Sequence, residues 1–182
     1  MKVLICYANG FEDVEALATR DLLVRAKLDV YDAKISDSEE LVTSSHKVAI
    51  SGFKSLNNIN INEFDAIIIP GGSVGVSNLL KSDRVNELAK DFYKAHKLVA
   101  AICAGPMVLD KAGILIDKRF TCYPGCEVGL KGIYTGEEVI KDDNIITARS
   151  MLYSIPFGLN IIEYLLGKET RDRIYHQIAG LK

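Results

Sequence analysis

The stretch that decides the fold is Leu98-Val-Ala-Ala-Ile-Cys103-Ala-Gly-Pro106. An apolar run without a turn residue, as in residues 98–102, is typical of a buried parallel strand. Small residues then surround Cys103, and Pro106 stands where a helix can begin. A strand that turns sharply into a helix through small residues, with Cys or Ser at the bend, is a nucleophile elbow. The stretch therefore predicts a nucleophile at Cys103.

The elbow would also give Cys103 an unusual electrostatic environment. A thiol at a helix N-terminus meets the positive end of the helix dipole and free backbone N–H groups, which stabilise the thiolate. The stretch departs from the hydrolase motif at Ala101, where that motif has Gly. Free cysteines are usually buried and inert. The elbow alone therefore leaves two interpretations open, a reactive Cys103 and an inert core Cys103.

The composition of the chain is that of an ordinary globular protein, with 182 residues, 48% of them hydrophobic and 25% charged, and a formal charge of −2. This length suits one domain over residues 1–182. A mildly acidic chain without a basic stripe argues against a nucleic-acid partner. No apolar run is long enough to span a membrane. The apolar N-terminal stretch is too short for a signal peptide, so we expect a cytoplasmic protein.

Strand-like and helix-like segments alternate along the chain. Apolar runs predict strands over residues 2–8, 30–35, 65–69, 97–102 and 145–148. Apolar residues at helical spacing predict helices over residues 12–27, 79–96, 156–166 and 168–179. The polar segment 36–55, which holds two short β-like pieces, predicts a small hairpin excursion. Such alternation implies an α/β fold with a mostly parallel sheet and helices on both faces.

Distinctive residues follow three of the predicted strands. They are Asn9-Gly-Phe-Glu12, Pro70-Gly-Gly-Ser73 and Cys103-Ala104. Sites in parallel sheets gather beyond the carboxyl ends of the strands, near the switch point, so these three segments form one pocket if their strands are neighbours. The backbone N–H groups of Gly72 and Ala104 are then candidates for an oxyanion hole beside the thiol. The alternative for the glycine pair is an ordinary strand-ending turn.

Few residues are candidates for proton transfer. Of the three histidines, only His46, in the hairpin excursion, could reach a strand end, directly or across a subunit boundary. Glu12 and Asp13 are typical first-turn acids and caps of the first helix, whereas Glu15 stands one turn further in. A carboxylate repels a neighbouring thiolate. Glu15 can therefore assist Cys103 only if burial raises its pKa and the neutral acid donates a hydrogen bond to the sulfur.

The remaining cysteines give little indication of a metal site. Cys6 lies in an apolar strand, and Cys122 and Cys126 have C-x-x-x-C spacing with no second pair and no nearby histidine. Zinc takes four protein ligands, or three and a water, so we expect no metal ion. Because the chain has no export signal, we expect reduced thiols rather than disulfides.

Three stretches together resemble the ThiJ/PfpI superfamily, and within it the Parkinsonism-associated protein deglycase branch. They are Ala100–Pro106, Ile68–Gly72 and Asn9–Glu15, and the resemblance runs in register from residue 1 to about 168. It implies a flavodoxin-like three-layer sandwich and a homodimer. It also implies Cys103 as the nucleophile, Glu15 as its protonated partner, and Gly72 and Ala104 as the backbone donors.

The same resemblance bears on three further positions near the pocket. His46 falls where some relatives carry an Arg that approaches the neighbouring subunit's pocket. Arg149 falls on a family Arg after the late strand, and Tyr123 replaces a pocket His of some relatives. The PfpI-type peptidases have His directly after the cysteine; Ala104 stands there in this chain, so peptidase activity is not expected.

The resemblance implies a cofactor-free cysteine enzyme that acts on α-oxoaldehydes such as methylglyoxal, or on their adducts with protein side chains. Cys103 would add to the aldehyde, and Glu15 would move a proton between the two carbons. The alternative is a non-catalytic redox sensor or redox-regulated chaperone that acts through oxidation of Cys103. Both functions need the same reactive thiol, so the sequence leaves both open.

Overall fold

Strands and helices alternate through most of residues 1–181, the part of the chain that the computed structural model describes. The strands are β1 (Lys2–Tyr7), β2 (Asp29–Lys34), β3 (Val42–Thr43), β4 (Ala49–Ile50), β5 (Lys54–Ser55), β6 (Ala66–Ile69), β7 (Leu98–Ile102), β8 (Arg119–Phe120), β9 (Ile133–Tyr134), β10 (Val139–Asp142) and β11 (Ile145–Ala148). The α-helices are α1 (Asp13–Arg25), α2 (Ser73–Lys81), α3 (Asp83–Lys94), α4 (Pro106–Lys111), α5 (Ser154–Leu166) and α6 (Lys168–Ala179). Two short 3-10 helices cover Ile61–Glu63 and Met151–Tyr153.

A central sheet of seven strands has the order β10-β11-β7-β6-β1-β2-β5. All its pairs are parallel except β10 with β11. The strands β6 and β7 are buried at every residue, which is why both read as continuous apolar runs rather than as alternating ones. This sheet confirms the predicted α/β fold.

Helices cover both faces of the sheet, because successive residues of each strand point to opposite faces. On β7, Val99 and Ala101 pack in one apolar cluster with residues of α2, α3 and α4. Leu98, Ala100 and Ile102 pack in a second cluster with residues of α1, α5 and α6. The result is the expected three-layer sandwich. The helices α1 and α5 have 13 residues each, and no helix within residues 1–181 is long and apolar enough to cross a membrane.

The predicted helix over residues 79–96 was wrong in its extent, because two helices, α2 and α3, cover residues 73–94. They are separated at Ser82, whose backbone is extended and whose hydroxyl accepts a hydrogen bond from the Val85 N–H at 3.3 Å. A serine that caps the N-terminus of one helix in this way ends the preceding helix.

The hairpin excursion is confirmed as the antiparallel pair β3 and β4, in which Val42 lies opposite Ile50. The chain then returns to the main sheet as β5, which pairs with β2 at the edge. This edge strand was not predicted, because two residues are too few to show alternation. A further two-stranded sheet, β8 with β9, was missed for the same reason.

The topology brings three loops together at one edge of the sheet. The chain leaves β1 through α1 to β2 on one side, whereas β6 and β7 lie on the other side of β1. The switch point therefore lies between β1 and β6. The carboxyl ends of β1, β6 and β7 are neighbours there, as required for a shared pocket.

Candidate active site

Cys103 lies at a sharp turn between β7 and α4. Its φ is +63°, in the left-handed region that residues other than glycine rarely adopt. Backbone hydrogen bonds hold it there: the Cys103 N–H donates to the Ala148 carbonyl at 2.9 Å, and the Tyr123 N–H donates to the Cys103 carbonyl at 2.9 Å. A non-glycine residue held in this conformation between a strand and a helix has the backbone geometry of the predicted nucleophile elbow.

Glu15 is brought to the thiol by the start of α1. Glu12 caps that helix by accepting a hydrogen bond from the Glu15 N–H at 2.7 Å, which confirms its predicted role as a cap. The Glu15 side chain turns inward and is only 1% exposed. A methyl group placed on Gly71 would lie 2.2 Å from the Glu15 Oε2 and 2.7 Å from the Cys103 Cβ. The carboxyl and the thiol therefore meet on either side of Gly71.

Burial raises the pKa of Glu15 to about 7, although the Cys103 thiol and the Gly71 N–H act in the opposite direction. Neither carboxyl oxygen makes a hydrogen bond of regular geometry with the described residues. The thiol and the Gly71 N–H therefore act on the carboxyl as close polar neighbours rather than as well-aligned partners. A carboxyl with this pKa is largely protonated in slightly acidic solution. A pKa near the working pH is what a catalytic acid or base requires.

Burial also raises the pKa of the Cys103 thiol, and the Glu15 carboxylate raises it further, while the N–H groups of Ala104 and Gly72 lower it. The thiolate stabilisation predicted from the helix N-terminus is therefore not the dominant effect. The helix α4 begins only at Pro106 and has six residues, so Cys103 precedes its first turn. Because two adjacent anions repel, thiol and carboxyl together carry at most one negative charge near neutral pH.

The glycine loop after β6 brings backbone close to the thiol. Gly72 has φ +93°, and a Cβ there would lie 2.4 Å from the Gly10 carbonyl oxygen. No other residue type fits this position without movement of the backbone. The Gly72 and Ala104 N–H groups both act on the Cys103 sulfur. Their proposed use as oxyanion donors stays a prediction.

We expect Gly71→Ala to separate the thiol from the carboxyl, because its methyl group would overlap both side chains. Aldehyde turnover should fall by about 10²-fold or more, since displacement of a reacting group by about 1 Å costs that much. Steady-state kinetics with methylglyoxal measures this effect. Gly113→Ala, after α4, is the control, because its added methyl group meets nothing within 4 Å and its φ of +75° limits the cost to backbone strain, which lowers stability rather than turnover. Equal losses in the two variants would contradict the steric explanation.

A cavity of about 300 Å³ opens at the elbow. Its walls are formed by Glu12, Ser45, Gly72, Ser73, Cys103, Ala104, Tyr123 and Cys126. The Tyr123 residue is 52% exposed and stands at the surface. A somewhat larger cavity, of about 350 Å³, lies beside Tyr7 and Asp32 but is not lined by the thiol. The cavity at the elbow is therefore the one in which chemistry at Cys103 can take place.

His46 does not line this cavity within the chain. Its side chain is 74% exposed, and its Nδ1 lies 2.7 Å from the Asp13 Oδ2. Burial would raise the pKa of Asp13, but hydrogen bonds from Ser44, His46 and Ser45 lower it to about 2. Glu12, Asp13 and His46 each have one potential metal-ligand atom, and these atoms lie within 4.8 Å of one another. The hydrogen bonds to Asp13 already explain why these side chains lie close together. The reach of His46 across a subunit boundary stays a prediction.

Arg149 also lies outside the cavity wall. Its guanidinium donates to the Gly136 carbonyl at 3.0 Å and lies 4.7 Å from the centre of the Tyr153 ring. It also donates to the Tyr153 hydroxyl. These contacts tie the end of β11 to the 3-10 helix Met151–Tyr153. Within the described chain Arg149 is therefore a structural residue rather than a pocket residue.

The DJ-1/PfpI family model matches residues 1–164, which is most of the chain. The chain belongs to the DJ-1/PfpI family. It is 35% identical over 169 residues to protein dj-1beta of Drosophila melanogaster, covering 91% of this chain and 90% of the relative. It is 36% identical over 176 residues to the glutathione-independent glyoxalase DJR-1.2 of Caenorhabditis elegans, covering 94% and 91%.

Solved structures of DJ-1 proteins have the same fold. The crystal structure of Drosophila melanogaster DJ-1beta superposes with a TM-score of 0.92 at 32% identity, covering 100% of this chain and 98% of that one. The structure titled Toxoplasma gondii DJ-1, oxidized, gives a TM-score of 0.91 at 31% identity, covering 98% and 97%. The predicted family and its flavodoxin-like sandwich are thereby confirmed.

Two cavity residues of this DJ-1/PfpI chain, Ser45 and Cys126, were not predicted to line the pocket. Glu12 and Ser73 also line it, as the last residues of two of the three strand-end segments that were predicted to form one pocket. Ser45 and Cys126 are brought in by the hairpin and by the turn after β8, and spacing along the sequence gives no sign of either contact.

Proposed function

We propose that this DJ-1/PfpI protein is a cofactor-independent glyoxalase or deglycase-type enzyme that acts on α-oxoaldehydes such as methylglyoxal or on their adducts with protein side chains. The observation that carries the proposal is the buried Glu15 carboxyl, with a pKa of about 7, beside the Cys103 thiol. A relative of 36% identity that is named a glutathione-independent glyoxalase gives independent support.

The first step of the proposed reaction forms a bond between sulfur and carbon. The Cys103 thiolate, with Glu15 protonated, attacks the aldehyde carbon of methylglyoxal. The carbonyl oxygen becomes an alkoxide, which the Gly72 and Ala104 N–H groups stabilise. Glu15 then donates its proton to this oxygen. The product is a hemithioacetal, and Glu15 is left as a carboxylate.

The second step moves a proton between neighbouring carbons. The Glu15 carboxylate removes the hydrogen of the hemithioacetal carbon, which gives an enediolate, and then returns the proton to the adjacent carbon. The hydroxyl proton moves from the oxygen of the first carbon to that of the second, and a thioester of a 2-hydroxy acid results. Water hydrolyses this thioester: lactate is released, the sulfur leaves as the thiolate, and of the two protons of the water one returns to Glu15 and one goes to solvent. The sequence of steps adds one water to methylglyoxal and needs no other co-reactant.

The size of the cavity agrees with a small substrate. About 300 Å³ is at the lower end for ligand pockets and suits a three-carbon aldehyde or the tip of a modified side chain. The exposed Tyr123 forms its outer wall. A glycated side chain on another protein could therefore enter from the surface without a change in the fold.

The deciding experiment is an assay of the purified reduced protein with methylglyoxal in the absence of glutathione. We expect lactate to accumulate over many turnovers per chain, because the pair supplies both a nucleophile and an acid–base group. Formation of lactate is followed by proton NMR. Failure of the wild-type protein to form lactate would remove the enzymatic proposal.

A redox sensor or redox-regulated chaperone is the second candidate function. It is favoured by the partial exposure of the Cys103 residue, which gives small oxidants access to the sulfur. A protein that forms no lactate but whose Cys103 is oxidised selectively by peroxide would fit this candidate. The same thiol would then act as a switch rather than as a catalyst.

We further propose a cytoplasmic homodimer. Two-fold pairing is the commonest closed assembly, and the hairpin leaves the His46 side chain 74% exposed with no role in the cavity of its own chain. Light scattering is expected to give twice the mass of one chain, 20.0 kDa. The mass of one chain at micromolar concentration would contradict the dimer.

A further inference from the structure

A second thiol shares the cavity at the elbow with Cys103. Cys126 lines the same space of about 300 Å³, and it is half-buried like Cys103. The mechanism proposed above makes no use of it. The other two cysteines, Cys6 and Cys122, are fully buried and belong to the apolar core. Cys103 and Cys126 are therefore the two thiols that a small oxidant in the cavity can meet.

Backbone hydrogen bonds connect Cys126 to the elbow. The Cys126 N–H donates to the Tyr123 carbonyl at 2.9 Å, and the Tyr123 N–H donates to the Cys103 carbonyl at 2.9 Å. The turn over residues 123–126 is thus attached to the nucleophile itself. Its tip, Tyr123 to Gly125, is exposed, and Gly125 has φ +96°. Cys126 closes this turn and is half-buried against the apolar core.

We propose that Cys126 is the resolving thiol for oxidised Cys103, so that a peroxide converts this pair into an intramolecular disulfide. The oxidant is hydrogen peroxide or another small hydroperoxide. The proposal goes beyond aldehyde chemistry and does not depend on it. A disulfide requires the Cα atoms of Cys103 and Cys126 to lie within about 7 Å of each other. The hydrogen bonds that attach the turn to the elbow favour this approach.

The first step is oxidation of Cys103 by two electrons. The Cys103 thiolate attacks one peroxide oxygen, the O–O bond breaks, and an S–O bond forms, giving a sulfenic acid. The departing hydroxide takes the proton of Glu15 and leaves as water. In the second step the Cys126 sulfur attacks the Cys103 sulfur. The S–O bond breaks, an S–S bond forms, and the hydroxide leaves as water with the thiol proton of Cys126.

The consequence is protection of Cys103 from irreversible oxidation. A sulfenic acid that meets a second peroxide becomes a sulfinic acid, which ordinary thiols do not reduce. A thiol in the same cavity competes with that second peroxide, because the reaction within the chain has a high effective concentration. A disulfide is reversible by thiol exchange, so the protein recovers its thiol after exposure to the oxidant.

The test treats the full-length reduced protein with stepwise amounts of hydrogen peroxide, alkylates the remaining thiols and maps them by mass spectrometry. We expect a peptide cross-linked through Cys103 and Cys126, with Cys6 and Cys122 alkylated, and complete reversal by dithiothreitol. In Cys126→Ser, Cys103 should reach the sulfinic state at a peroxide dose lower by about tenfold or more. Cys126→Ala repeats the measurement with an apolar replacement.

The matched control is Cys122→Ser, which removes the other thiol of the C-x-x-x-C pair and should still form the disulfide. Circular dichroism verifies that each variant is folded. A disulfide between Cys122 and Cys126, sulfinic acid formation at equal doses in wild type and Cys126→Ser, or no oxidation of Cys103 would each overturn the proposal. None of these readouts uses lactate, so failure here is distinguishable from failure of the proposed aldehyde chemistry.

Discussion

Cys103→Ser is expected to lower lactate formation from methylglyoxal by about 10³-fold or more, because loss of a covalent nucleophile removes the step on which all others depend. A serine hydroxyl has nearly the same size but is not ionised by a carboxyl with a pKa of about 7. The fold should survive, since Cys103 is only partly buried. The measurement is steady-state turnover together with circular dichroism of the same preparation.

The matched control for this variant is Cys122→Ser. It makes the same chemical change at a fully buried thiol that does not line the cavity. We expect it to lose stability, as polar replacements in a core do, while retaining turnover. If Cys103→Ser formed lactate as fast as the wild type does, the elbow would not be the catalytic centre.

Glu15→Gln is expected to lower turnover by about 10²-fold or more, as loss of general acid–base catalysis does. Glutamine keeps a hydrogen-bond donor but cannot release a proton, so the hemithioacetal forms and the transfer between carbons stops. Glu15→Leu also removes the donor, so the thiolate loses a partner and its pKa rises relative to Glu15→Gln. Thiolate absorbance titration and methylglyoxal kinetics on both variants measure these two effects separately.

The pH dependence of the wild type follows from the same pair. Below a pH of about 7 both groups hold their protons, so no thiolate is present. As pH rises through about 7 the pair loses one proton, and kcat/KM should rise with it. In Glu15→Gln this rise should move to a different pH, because only the thiol titrates. An unchanged profile in Glu15→Gln would contradict a shared proton.

Asp13→Asn is the control for the carboxyl, because Asp13 is the next acid of the same helix end but makes its hydrogen bonds to Ser44, Ser45 and His46 outside the cavity wall. It should cost about 0.3 to 1 kcal/mol of stability through the lost charge at the helix start and leave turnover near that of the wild type.

If Glu12→Gln abolished turnover while Glu15→Gln did not, Glu12 would be the acting carboxyl.

Local sequence was sufficient for the elements that carry a strong local pattern. The runs at β6 and β7 are apolar at each position, and the helix α6 was predicted with its observed bounds, Lys168–Ala179. The single helix predicted over residues 79–96 failed at Ser82, where a side-chain cap outweighs continuous apolar spacing. The two-residue edge strand β5 is recognised only by its pairing with β2, so its sequence carries no signal of its own.

The sequence by itself determined the elbow, the glycine loop and the alternation of the long strands and helices, because each depends on residues within a few positions of one another. Only the tertiary structure decided the electrostatics of the site. The pKa of Cys103 is raised rather than lowered, because burial and Glu15 outweigh the backbone donors. Likewise, only folding brings Cys126 into the cavity and leaves His46 and Arg149 outside it. Desolvation and long-range contacts depend on what surrounds a residue in space, and a linear sequence does not specify those neighbours.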